Sequence, residues 1–127
     1  MIVGLGIDVA SVERLERALG RFGDRIWQRV LTPREQRELG PRADRALALA
    51  GRFAAKEALS KALGAPRDVW WQSVEVVCGP LGAPQLELSG PAAAHAQRLG
   101  VDRTWVSISH DAGVAAAVVV LESEPRR

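Results

Sequence analysis

GRFAAKEALSKALG, residues 51–64, is alanine-rich and helical in pattern, yet Arg52, Lys56, Glu57 and Lys61 interrupt it with charge. At about 100° per residue, Gly51, Ala54, Ala55, Ala58 and Ala62 fall on one broad side, joined by Leu59. A side built from such small residues predicts close approach to a neighbouring backbone. Phe53, Glu57 and Lys61 share a second flank, with Ser60 adjacent, while Arg52 and Lys56 form another polar strip. The pattern predicts a long helix over about 42–63, ending at Gly64.

Small residues also mark the start of the chain. Residues 2–9, IVGLGIDV, read as a buried strand. With period 2, Val3, Leu5, Ile7 and Val9 share one face, and Gly4, Gly6 and Asp8 share the other. Two glycines leading to a carboxylate leave room for something to approach that face.

The remaining elements follow from punctuation. Ser11 caps a helix over about 12–19, with Val12, Leu15 and Leu19 inward, Gly20 after it, and Arg14, Arg17 and Arg21 on a basic outer face. Arg25, Arg29 and apolar residues continue it over 24–31. In TPRE, residues 32–35, Thr32 is the N-cap, Pro33 opens the helix and Glu35 completes a capping box; Gly40-Pro41 stops it. Residues 65–71 read as a loop, SVEVVC and QLELS as strands about a turn at 79–84, and GPAAAHAQRLG as a helix. TWVSISHD and VAAAVVVLE read as a hairpin around Ala112-Gly113, followed by a frayed tail at 123–127.

Composition narrows the function classes. The 127 residues, 47% apolar and 25% charged, fit one folded domain, 1–127, with no repeat or low-complexity block. Net charge is +2, but residues 1–56 hold eleven Arg or Lys against seven Asp or Glu, and the remainder is acidic. A basic first half suggests an acidic or phosphorylated partner. Cys78 is the single cysteine, so no internal disulfide forms and the thiol is expected as a small buried hydrophobe. The N-terminus lacks a signal-peptide pattern, and the longest aliphatic run, 114–121, is too short for a membrane span. A cytoplasmic protein is expected, with no membrane partner. With no Tyr and only two Phe, a stacking platform for nucleic acid is poorly supported. There is no P-loop, no GxGxxG and no His/Cys cluster for zinc.

Each chemistry-bearing position has a plain reading. On spacing alone, Glu57 and Lys61 are a solvated i,i+4 pair worth a few tenths of a kcal/mol. Asp8 alone caps the next turn. His110 shares a face with Val106 and Ile108 and reads as a satisfied core residue; His95 has no assigned role. The functional reading joins Asp8 and Glu57 as two hard oxygen ligands for Mg²⁺ bound to a phosphate, with nearby cations.

Three stretches in order alter this balance: GLGIDVASVERLERAL, LAGRFAAKEALSKALG and WVSISHDAGVAAAVVVLE. Together they resemble the holo-acyl-carrier-protein synthase family, the small single-domain 4′-phosphopantetheinyl transferases. The segment GAPQLELSGPAAAHAQRLG also resembles that family's strand-turn-helix, and Arg52–Ala62 carries its R-F-A-x-K-E-A-x-x-K-A pattern. Trp105 stands where many members have histidine.

The resemblance implies an α+β fold, an antiparallel sheet on a long central helix, forming a homotrimer with active sites between subunits. It implies Mg²⁺-dependent transfer of the phosphopantetheine arm of coenzyme A to a serine of apo-acyl carrier protein, releasing 3′,5′-ADP, in fatty-acid or polyketide biosynthesis. It implies Asp8 and Glu57 as metal ligands, Glu57 also as base, and Lys61 assisting the leaving group. Arg52, Lys56, Lys61 and His110 match coenzyme A contacts, and Arg14, Arg17 and Arg21 match the carrier-docking helix. A non-catalytic module for a nucleotide or acidic protein is the rival reading; two acids in an anion pocket argue against it.

Overall fold

The computed structural model describes residues 1–41, 43–69 and 71–125. In chain order the elements are β1 (Ile2–Ser11), α1 (Val12–Phe22), α2 (Asp24–Val30), α3 (Pro33–Leu39) and α4 (Arg45–Ala62). A 3₁₀ turn at Trp71–Ser73 leads to β2 (Val74–Cys78), β3 (Pro84–Leu88), α5 (Gly90–Arg98), β4 (Arg103–Asp111) and β5 (Val114–Glu122). The fold is α+β. One antiparallel sheet has the order β1-β5-β4, and β2-β3 form a separate hairpin.

The two small-residue faces meet each other. A Cβ on Gly6 would collide with the carbonyl of Ala58, and one on Gly4 with the carbonyl of Ala62. The strand therefore lies directly on the backbone of α4, at a distance only glycine allows. Ala54, Ala55, Ala58 and Leu59 are fully buried beneath the sheet, with Ala115, Ala117, Val119 and Leu121 of β5 facing them. Asp8 continues the glycine row by one pleat, which carries its carboxylate along α4 toward Glu57 and Lys61.

The opposite face of the sheet is open in the single chain. Leu5, Ile7 and Val9 are 65%, 63% and 60% exposed, so β1 is buried on its glycine side and not on its aliphatic side. Register places Leu5, Val120 and Trp105 in one row, and Ile7, Val118 and Ser107 in the next.

Local signals mostly hold. Ser11 accepts from the Arg14 N–H at 3.2 Å, and Thr32 with Glu35 forms the capping box. The β4–β5 turn has positive φ at Ala112 (51°) and Gly113 (77°), as a two-residue hairpin turn requires. Helix α1 runs through Gly20 and stops at Gly23, whose φ is 60°. Positive φ ends a helix; Gly20 keeps helical geometry, at only its propensity cost. Helix α4 starts at Arg45; the expected start at 42, residue 70 of the loop and the tail residues 126–127 lie outside the described residues. The tail is not frayed at its start: the Ser123 N–H donates to the Met1 carbonyl at 2.7 Å and the Glu124 N–H to Asp102 Oδ2 at 2.7 Å.

Candidate active site

Asp8 and Glu57 line one cleft of about 350 Å³, walled also by Ser11, Ile26 and Phe53, with Arg14 of α1 beside them. The strand brings Asp8 there and α4 brings Glu57. Asp8 is largely covered, its side chain 16% exposed, and its Oδ1 accepts from Lys61 Nζ at 2.9 Å. Lys61 Nζ also donates to the Ile7 carbonyl at 3.1 Å. Lys61 thus bonds across to β1, although helix spacing alone had paired it with Glu57.

Glu57 also borders a second cleft, of about 190 Å³, with Arg29, Ser60, Arg67 and Trp71. Its Oε1 accepts from the indole Nε1 of Trp71 at 2.8 Å. One carboxylate therefore separates an acidic, Asp8-bearing cleft from a basic one. Trp71 was missed in the sequence because it sits in an aperiodic loop. Arg29 had a signal, the continued basic spacing of the first helices.

Lys56 requires a correction. It was matched to a coenzyme A phosphate, but its side chain is 0% exposed and its Nζ is 2.5 Å from Glu35 Oε1. It also donates to the carbonyls of Val30 at 2.6 Å and Trp71 at 3.0 Å. Burial pushes the Lys56 ammonium below its ordinary range, while the Glu35 charge and hydrogen bond pull it back up. Lys56 also borders the cleft of Arg29, Glu57 and Arg67, but three acceptors within the protein already take its three ammonium protons.

Arg52 and His110 line neither of these clefts. Arg52 Nη2 reaches Cys78 Sγ at 3.7 Å, and among the described residues its buried Nε has no partner. Cys78 is exposed, not buried as expected, because it ends β2 at the rim of the hairpin. The exposed His110 ring sits over Gly51 of α4; a Cβ there would lie 3.0 Å from its Nε2. His110 is not a core residue. His95 does have partners: its Nε2 lies 2.6 Å from Asp68 Oδ1 and its Nδ1 3.0 Å from Arg98 Nη2. The histidine hydrogen bond holds the Asp68 carboxyl below its ordinary range. Arg14, Arg17 and Arg21 are exposed on α1, with Arg17 paired to Glu13 at 3.3 Å.

The donor set fits a small hard cation. Among the described residues no group of three or more His, Cys, Asp or Glu could hold a metal. Two carboxylates on one cleft are what Mg²⁺ uses when water and substrate oxygens complete its shell.

A family model described as the 4'-phosphopantetheinyl transferase superfamily matches residues 4–119. The chain belongs to this superfamily. The match covers both candidate carboxylates, α4 and the terminal hairpin up to residue 119. Among superfamily relatives, a holo-[acyl-carrier-protein] synthase of Nitratidesulfovibrio vulgaris is 49% identical over 130 aligned positions, covering 97% of this chain and 100% of that one. The crystal structure of Helicobacter pylori holo-[acyl-carrier-protein] synthase in complex with coenzyme A superposes with a TM-score of 0.81 at 34% identity, over 93% of this chain and 99% of that one. A Bacillus anthracis holo-(acyl-carrier-protein) synthase in complex with CoA (3',5'-ADP) gives 0.79 at 36% identity, over 98% and 99%. Among the described residues no helix is long and apolar enough to cross a membrane.

Proposed function

We propose that this single-domain enzyme transfers the 4′-phosphopantetheine group of coenzyme A to a serine hydroxyl of an apo-acyl carrier protein, releasing 3′,5′-ADP. The observation that carries the reading is Glu57, shared between a cleft with Asp8 and a cleft with two arginines. Family membership and the named relatives support it. The acceptor serine oxygen attacks the β-phosphorus of the coenzyme A pyrophosphate, and the bond from that phosphorus to the bridging oxygen breaks. Glu57 takes the serine proton, directly or through a water. Lys61, half-exposed and paired with Asp8 at 2.9 Å, is assigned to the charge that develops on the leaving phosphate. Asp8 and Glu57 would hold Mg²⁺, which when bound supplies positive charge to the phosphate oxygens. A cytoplasmic setting suits a chain whose single thiol, Cys78, is exposed.

Two assemblies follow from the surfaces. Arg14 borders the Asp8 cleft, so an acidic carrier held on α1 by Arg14, Arg17 and Arg21 brings its serine to Glu57. Arg14→Glu is expected to raise the apparent KM for carrier far more than for coenzyme A; equal increases in steady-state assays would remove the docking role. The exposed Leu5, Ile7, Val9 and Trp105 face supports a homotrimer. Arg52 and His110, which line neither carboxylate cleft in one chain, would then complete a neighbour's coenzyme A site. Light scattering should give about three times the 13.7 kDa chain mass, and Ile7→Glu should lower it; a monomeric wild type would refute the assembly.

The decisive experiment mixes the chain with apo-carrier, coenzyme A and Mg²⁺ and weighs the carrier. A gain of one phosphopantetheine arm supports transfer. No gain with several carriers leaves only anion binding.

A further inference from the structure

We propose that Trp71 is a positioning residue for Glu57 and that buried Lys56 holds Trp71 in place. The inference rests on the transferase reading and assigns two residues that chemistry at the carboxylates alone does not require.

The indole donates to Glu57 Oε1 at 2.8 Å. That bond fixes one carboxylate oxygen and leaves Oε2 for a proton or a cation. The indole is itself immobilised from several directions. Its ring meets Phe53 at 5.8 Å between centroids, and the Arg29 guanidinium lies 5.6 Å from the ring centroid. The main-chain carbonyl of Trp71 accepts from Lys56 Nζ at 3.0 Å, and Lys56 is locked by Glu35 and the Val30 carbonyl. The next side chain, Gln72, has its amide nitrogen 2.8–3.0 Å from the carbonyls of Gln28, Arg29 and Leu31, its two protons shared among the three, which ties the same backbone to the end of α2.

A short 3₁₀ turn is thus anchored to two helices, and the one side-chain hydrogen bond donor it presents to the clefts is aimed at Glu57. Unpinned, the Glu57 side chain has several rotamers to sample. Pinned, it keeps the orientation that proton transfer requires, and reactions lose rate steeply when such groups drift. Lys56 therefore acts on the reaction without touching substrate. This also explains why a lysine next to the key glutamate is buried: its partner is the scaffold of the site.

Trp71→Phe tests the idea, since it keeps an aromatic ring between Phe53 and Arg29 while removing the N–H together with the second ring of the indole, a packing loss that the unfolding cycle below subtracts. kcat for transfer is expected to fall about 10- to 100-fold, the worth of one hydrogen bond to a charged group, with KM for coenzyme A within about 2-fold. Mg²⁺ titrated calorimetrically into the coenzyme A complex should bind several-fold more weakly. A thermal-unfolding cycle reads the contact without activity: Trp71→Phe should lower Tm more in the wild-type background than beside Glu57→Ala. If the wild type transfers the arm and Trp71→Phe matches its kcat, the positioning role is overturned and the transferase reading stands. If the wild type transfers nothing, the transferase reading falls and the unfolding cycle still decides the contact. Equal Tm losses in both backgrounds overturn it.

Discussion

Glu57→Gln is expected to lower carrier modification at least 10²- to 10⁴-fold, the range for a lost general base, with Tm nearly unchanged. Gln has the size of Glu and keeps an amide oxygen for the Trp71 N–H, so local packing survives. It cannot take the serine proton, and it is a poorer ligand for a hard cation. Asp8→Asn should behave alike for the metal-ligand part of that loss. Its pair with Lys61 is partly solvated, the lysine side chain being 52% exposed, so its removal costs little stability. The measurement is the mass of apo-carrier after timed incubation, alongside thermal unfolding of each variant. Wild-type transfer in Glu57→Gln would remove Glu57 as base. Loss of activity together with a large fall in Tm would instead make these residues structural.

That β1 and α4 each lie against a close neighbour was legible because both surfaces are written in residue size; that they lie against each other was not. Gly4 and Gly6 alternate on a strand, and Ala58 and Ala62 recur at helical spacing, and each set makes sense only against a close neighbour. Once those faces meet, Asp8 arrives beside α4 by the period of the strand, but that Asp8 and Glu57 line one cleft was not legible in the sequence alone. The capping box at Thr32 was readable, because its partners lie three residues apart. What periodicity could not supply were contacts set by distant elements. Lys56 lies on a polar strip of the helix, yet Glu35, on α3, decides its fate. Trp71 belongs to a loop with no period, so nothing local reveals that its N–H meets Glu57. The open aliphatic face of β1 has the same cause: alternation identifies a face without saying which neighbour covers it.

Lys56→Met is expected to destabilise the chain by about 3–5 kcal/mol, because it strands the Glu35 carboxylate in a buried site. Glu35 is 1% exposed and its Oε2 is already engaged by the Val76 N–H at 3.1 Å, so it cannot turn out to water without losing that bond as well. Against a total stability of about 5–15 kcal/mol the loss is large, and at a few degrees per kcal/mol it corresponds to a fall of about 10–20 °C in Tm. Adding Glu35→Gln should recover part of it: the amide has no charge to strand, and its one oxygen still accepts from one of the two backbone N–H groups, Thr32 or Val76, that Glu35 engages. The Arg17–Glu13 pair supplies the contrast, since with side chains 71% and 76% exposed its loss in Arg17→Met should move stability by less than about 0.5 kcal/mol. Calorimetric unfolding of the single and double variants decides between two roles for Lys56. A scaffold lysine loses Tm on substitution and regains part of it with Glu35→Gln. A phosphate-binding lysine would leave Tm alone and raise KM for coenzyme A, an outcome that would return Lys56 to the substrate site.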